Sequence, residues 1–110
     1  MKILLIKPRW AAKAGHYRFL RGVRFTPLSL GILAALSEGH DVRIVDRDWQ
    51  PLPRSGRFDL VGITATTFTS EQAFRLADRA RQQGARVVLG GVHPSILPDE
   101  CLRHADSVVI

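Results

Sequence analysis

Three clusters of residues able to do chemistry stand out, and each follows a short apolar run. They are Lys7-Pro8-Arg9-Trp10, Thr64-Ala65-Thr66-Thr67-Phe68-Thr69 and Gly90-Gly91-Val92-His93-Pro94. Threonine hydroxyls donate and accept hydrogen bonds with little bulk, so the middle cluster suits a polar ligand edge, a phosphate or an amide. The competing role for such hydroxyls is helix capping, and Thr69 or Ser70 is assigned to that alone. Thr64 and Thr66 precede the cap and are assigned to a ligand. Paired glycines let backbone approach a large planar or phosphate-bearing group closely, or they simply turn the chain. His93 can ligate a metal, hydrogen-bond a ligand or cap its loop. Trp10 and Phe68 can line an apolar cavity or pack into a core.

Several chemistries lack their parts. No G-x-G-x-x-G follows the first apolar run and no G-x-x-x-x-G-K-[ST] is present, which excludes the usual dinucleotide and P-loop sites. A phosphoacceptor domain needs acids after the first strand and an Asp at the third, where this chain has Lys-Pro-Arg and Thr-Ala-Thr. There is no serine nucleophile elbow. His16, His40 and His104 make no metal-ligand spacing, and Cys101 beside Leu102 reads as structural.

The elements that position the clusters alternate between strand and helix. Lys2 to Ile6 is a buried strand stopped by Pro8. Pro27 to Ser37 has Leu28, Ile32, Leu33 and Leu36 at helical spacing and ends before Gly39. Strands follow at Asp41 to Asp46, Leu60 to Thr64 and Arg86 to Leu89, with a loop from Gln50 to Arg57. Thr69-Ser70-Glu71-Gln72 resembles a capping box. The helix it opens carries Ala73, Leu76, Ala77 and Ala80 on one face and ends at Gly84. Pro98 opens a short helix to His104, and Ser107 to Ile110 begins a fifth strand. Apolar strands alternating with helices predict an α/β fold: a doubly wound, five-stranded parallel sheet of order 2-1-3-4-5 with helices on both faces, flavodoxin-like or Rossmann-like. In such a sheet ligands bind at the carboxyl ends of the strands, where the three clusters fall. Residues 7 to 26 form a long connection of little periodicity, rich in aromatic and basic side chains.

The chain has 110 residues, 45% hydrophobic and 24% charged, which is one globular domain and not a disordered tail or a disulfide scaffold. No apolar run approaches the roughly 20 residues of a membrane span. A single cysteine excludes an internal disulfide and fits the cytoplasm. The net charge of +6 is an N-terminal feature: Lys2, Lys7, Arg9, Lys13, Arg18, Arg21 and Arg24 all precede the first acid, Glu38. That excess is either a solvated basic loop or a surface for an anionic partner. The final apolar run stops at Ile110, as expected for an N-terminal fragment of a longer protein.

Five stretches together resemble the N-terminal cobalamin-binding domain of class B radical S-adenosylmethionine enzymes: ILLIKP at 3–8, PLSLGILAAL at 27–36, GHDVRIVD at 39–46, FDLVGITATT at 58–67 and VVLGGVHPSILPDE at 87–100. The resemblance spans nearly the whole chain in the family's order. It implies cobalamin seated over the carboxyl ends of the strands. Thr64, Ala65 and Thr66, with Thr67 beside them, match the segment that contacts the nucleotide tail. Gly90, Gly91, His93 and Pro94 match the loop beside that tail. Lys7 and the Pro8, Arg9 and Trp10 that follow would lie near the lower face of the corrin. The family continues with a Gly-Glu-Gly-Glu stretch and a catalytic barrel in cis. S-adenosylmethionine and a 4Fe-4S cluster would belong to that part and not to this chain. The wider cobalamin fold often carries Asp-x-His-x-x-Gly after the first strand; His16 has neither the Asp two residues before it nor the Gly three after. The resemblance therefore implies a cobalt without a histidine ligand, which suits methyl transfer.

Two other functions remain open on the residues alone. One is a cofactor-free interaction or nucleic-acid-binding module using the basic N-terminal loop, whose binding would be strongly salt dependent. The other is a site for a small phosphorylated ligand at the same strand ends. Cobalamin is the expected partner, and neither nucleic acid nor a membrane is. Thr66→Val and Gly91→Leu are expected to weaken cofactor binding with the fold intact.

Overall fold

The computed structural model describes residues 1–10, 27–54 and 56–110. Its strands are β1 (Lys2–Lys7), β2 (Asp41–Asp46), β3 (Leu60–Thr64), β4 (Arg86–Gly90) and β5 (Ser107–Val108). Its helices are α1 (Leu28–Ala35), α2 (Ser70–Gln82), α3 (Val92–Ile96) and α4 (Pro98–Leu102), with a 3-10 turn at Thr67–Thr69 before α2. All neighbouring strands pair in parallel in the order β2-β1-β3-β4-β5, as the alternation of elements predicts. The basic and aromatic stretch around Lys13, His16, Tyr17 and Arg24, and with it most of the long connection, lies outside the described residues.

Alternation along β1 divides the core. Leu4 and Ile6 join Val61, Ile63, Val87 and Leu89 on the face covered by α2. Ile3 and Leu5 join Leu30 of α1 on the other. Fully burying a side chain such as Val87 or Leu89 contributes about 1.5–3 kcal/mol. In α2 the buried stripe is Ala73, Ala77 and Ala80, spaced as one helical face. These short side chains let the helix lie close to the sheet. Cys101 is buried in the same cluster, and burial, reinforced by the charge of Glu100, raises its thiol pKa, so it is an inert packing group.

Three local expectations are corrected. In α1 the periodic residues Leu28, Ile32, Leu33 and Leu36 are exposed, and Leu30 is the buried one. The helix meets the sheet through Leu30 and Ala34, four residues apart, and the apolar period marks the opposite side. The capping box closes earlier than the sequence suggests. The 3-10 turn begins at Thr67, so the Thr66 amide donates to Thr69 Oγ1 at 3.0 Å, and Ser70 Oγ donates to the Thr67 carbonyl at 2.9 Å. Gly91-Val92-His93-Pro94 is not loop throughout, because α3 starts directly after Gly91.

Candidate functional site

The sheet order reverses between β1 and β3, since the chain leaves β1 for β2 on one side and returns to β3 on the other. The crevice beyond the carboxyl ends of these two strands is where such folds hold ligands. Its two walls are built differently.

The β1 wall rests on charge. Lys7 is 8% exposed and stands in register with Asp46 of β2. Its Nζ lies 2.5 Å from Asp48 Oδ2 and 3.2 Å from Asp46 Oδ1. Asp46 Oδ1 also accepts the Asp48 amide at 3.0 Å. The other Asp48 oxygen accepts the Trp10 amide at 2.9 Å. Burial pushes the Asp48 carboxyl upward, but the Lys7 hydrogen bond, the Trp10 amide and the charges of Lys7 and Arg9 outweigh it, and the group sits below its usual pKa. The Arg9 amide donates to Gln72 Oε1 of α2, and Arg9 Nε donates to the Arg47 carbonyl at 3.3 Å. Pro8 is buried, Arg9 exposed and Trp10 half-buried. Trp10 meets Phe68 edge to face across the crevice, with ring centroids 6.0 Å apart. This pair bridges the ends of β1 and β3.

The β3 and β4 wall rests on backbone. The Ala65 amide donates to the Gly90 carbonyl at 2.8 Å, and the Ala65 carbonyl accepts the His93 amide at 3.1 Å. Gly91 has φ 107°, a conformation kept for glycine, and a Cβ there would stand 2.8 Å from the Ala65 oxygen and 2.9 Å from Thr64 Oγ1. Gly91→Leu must therefore disturb the fold as well as the site, contrary to the expectation from sequence. Thr67 and Gly91 are exposed, and Thr64, Thr66 and Gly90 are partly so. Ala65, His93 and Pro94 are buried. His93 Nδ1 lies 3.3 Å from Thr67 Oγ1 and Nε2 lies 3.4 Å from Glu100 Oε1. Its ring packs edge-on against Phe74 at 5.9 Å. Both ring nitrogens thus face protein atoms, and the side chain ties the β3 end to α3 and α4.

All the sequence-selected residues meet at one edge of the sheet. Those a ligand can reach are Arg9, Trp10, Thr64, Thr66, Thr67, Gly90 and Gly91. Pro8, Ala65, His93 and Pro94 lie beneath them. Sequence reasoning passed over Asp48, Gln72 and Glu100. The Lys7–Asp46 pairing was detectable, because the order 2-1-3 sets the last residues of β1 and β2 side by side. Of the basic N-terminal residues, Lys7 is neutralised within the fold and is not free for an anionic partner. Lys13, Arg18, Arg21 and Arg24 lie outside the described residues, as does His16. No group of three or more His, Cys, Asp or Glu side chains able to hold a metal occurs among the described residues.

Fold and edge define a doubly wound parallel domain of the kind that carries a ligand on its strand ends. Residues 21–110 match the model of the B12 binding domain family, and the chain belongs to that family. It is a cobalamin-binding domain, as the sequence resemblance implied. It is 38% identical to bacteriochlorophyllide d C-8(2)-methyltransferase and 41% identical to bacteriochlorophyllide d C-12(1)-methyltransferase, both of Chlorobaculum tepidum, over 76% of this chain and 19% of each relative. An uncharacterized methyltransferase of Pyrococcus horikoshii is 33% identical over 98% of this chain and 25% of its own length. The chain thus spans a quarter or less of these relatives. The N-terminal domain of a hypothetical protein of Thermotoga maritima superposes with a TM-score of 0.54 at 18% identity, over 90% of this chain and 88% of that one, which is a likeness of fold.

Proposed function

We propose that cobalamin sits on the carboxyl edge of β1, β3 and β4, and that the chain is the cofactor module of a radical S-adenosylmethionine methyltransferase. The reading rests on one observation above the rest: the family match falls on a domain whose hydroxyl, glycine and aromatic residues converge on a single crevice. The residues fit the group. Corrin is broad and flat, with amide side chains and one phosphate. The partly exposed Thr66 and the exposed Thr67 suit its polar tail, and the Trp10–Phe68 pair gives an apolar surface beside the crevice.

Cobalamin supplies the group-transfer chemistry when bound. The chain's task is to hold it in one orientation. Thr64, Thr66 and Thr67 offer hydroxyls to the tail. Gly90 and Gly91 keep the β4 end free of side chains, so a large ligand can reach backbone. Ala65 and His93 fix the height of that end, and Pro94, buried within α3, packs beneath it. Pro8, Arg9 and Trp10, anchored by Asp48 and Gln72, hold the near side of the crevice. His93 Nδ1 and Nε2 lie against Thr67 and Glu100, so this side chain would support the edge and not contact the group.

S-adenosylmethionine and the 4Fe-4S cluster are assigned to a catalytic domain in cis, outside these residues. The methyltransferase reading follows from the names of the relatives. The lone, buried thiol favours a place in the cytoplasm; no helix among the described residues is long and apolar enough to cross a membrane. The test is titration with hydroxocobalamin, read by visible absorption and by retention on a desalting column. Stoichiometric retention is expected. A folded chain that retains none, alone or within its longer gene product, would overturn the reading.

A further inference from the structure

The connection from β2 to β3, residues 47–59, crosses over β1 without a helix among its described residues. Parallel crossovers usually carry one, which packs on the sheet. Here Pro51, Pro53 and Gly56 break the run, and the connection touches the core through Leu52 and Phe58 instead of a packed helix. The result is a cavity of about 500 Å³ between this connection and α2, on the sheet face away from α1. Leu4, Ile6 and Val61 are at its floor, with Leu76 of α2 and Leu52 and Phe58 of the connection around it. That volume is typical of small-molecule sites and far beyond a single water.

The charged lining is one-signed, and Gln82 and Gln83 add neutral polar groups. Arg54, Arg57 and Arg79 line the cavity, and no acidic residue does. The acids close to them in sequence are engaged elsewhere. Asp59 accepts the Lys2 amide at 2.7 Å, and Asp78 pairs with His104 at 2.9 Å. None of the three guanidinium groups has a carboxylate partner among the described residues. The connection itself is braced: Lys2 Nζ lies 5.3 Å from the centre of the Phe58 ring, and the Asp59 amide donates to the Lys2 carbonyl at 2.8 Å. A half-polar, half-apolar pocket with unpaired, forked cations is matched by a ligand with a flat or branched apolar body and an anionic head.

We propose that this cavity is a second ligand site, separate from the cobalamin edge, and that it takes a small molecule with an apolar body and a carboxylate, sulfonate or phosphate head. Arg57 and Arg79 hold the head, and Phe58 and Leu76 pack on the body. The site works whether or not cobalamin is bound.

The experiment uses two fluorescent probes of nearly the same shape, anilinonaphthalene sulfonate and the uncharged N-phenylnaphthylamine, titrated into the purified chain. The sulfonate is expected to bind at one saturable site, about tenfold more tightly than the neutral probe, as one charge-assisted contact allows. In the double variant Arg57→Gln, Arg79→Gln that preference disappears while the thermal midpoint stays unchanged, since both side chains are exposed. Saturating hydroxocobalamin leaves the sulfonate bound, and amide shifts gather at Leu52, Phe58 and Leu76. Equal affinity for the two probes, indifference to the arginine substitutions, or displacement by hydroxocobalamin would overturn the assignment. So would a chain dimer in sedimentation that excludes the sulfonate, since the cavity would then be a protein interface.

Discussion

The two walls of the crevice hold their residues by different physics. At the end of β1, the chain is anchored by a buried ammonium between two carboxylates, and Asp48 also accepts the Trp10 amide. At the ends of β3 and β4, the anchors are backbone hydrogen bonds and the absence of a side chain at Gly91. The first arrangement answers to protonation and the second answers to volume. A buried ion cluster is costly to desolvate and more costly to break, because removing one partner strands the other charges. The glycine-lined approach holds no ionised side chain in its anchors and is most sensitive to added atoms.

The largest effect is expected on the backbone-held side. Gly91→Leu should destabilise the fold by about 3 kcal/mol or more, combining a conformation kept for glycine with overpacking against Ala65. The urea midpoint reads this directly. A midpoint shifted by less than half as much would mean that the β3 and β4 ends separate easily, and the contrast between the walls would weaken.

Lys7→Met comes next. It leaves Asp46 and Asp48 facing each other without a cation and should cost about 2–4 kcal/mol. Asp48→Asn is milder, about 1–2 kcal/mol, since the amide oxygen still accepts the Trp10 N–H. In that variant the Trp10 fluorescence should shift and the midpoint fall together.

Acid separates the walls without mutation. The Asp48 pKa is lowered in the folded state, so its contribution is present above the unfolded value of about 3.9 and is lost as the pH falls through the lower folded value. Wild-type stability should therefore drop on acidification below about pH 4, and the Asp48→Asn variant should show a shallower drop. Parallel acid limbs in the two proteins would remove Asp48 from the account.

The smallest effect on stability is expected at Thr66→Val, whose hydroxyl lies 3.2 Å from Thr69 Oγ1. The fold should lose about 1 kcal/mol or less, and hydroxocobalamin affinity should fall about fivefold if that hydroxyl also serves the ligand. Unchanged affinity would move the polar contact to Thr67.

Much of this was legible in the sequence because apolar runs and glycine punctuation are local signals. The strand ends at Thr64 and Gly90 follow from them, and so does the convergence of three clusters at one edge. Parallel strands covered on both faces read as continuous apolar runs, which is why β1 and β3 were plain. The orientation of α1 was not legible. Its leucines and isoleucine populate more than one face, and only the position of Ala34 and Leu30 over β1 and β2 decides which is buried. The burial of His93 was also hidden, because its partners Thr67 and Glu100 lie on other elements. Asp48 gave no signal, since a turn acid looks solvated until β1 and β2 are set in register. Such pairings depend on the tertiary fold, whereas strand ends do not.

The central claim is that cobalamin occupies the carboxyl edge between β1, β3 and β4. The most direct measurement follows amide resonances of the chain during titration with hydroxocobalamin. Trp10, Thr66, Thr67, Gly90 and Gly91 are expected to shift or broaden together at one equivalent. Gly39 and Gly84, at the opposite end of the strands, should stay in place. Shifts gathered instead around Leu52, Phe58 and Leu76, or spread over the opposite end, would contradict it.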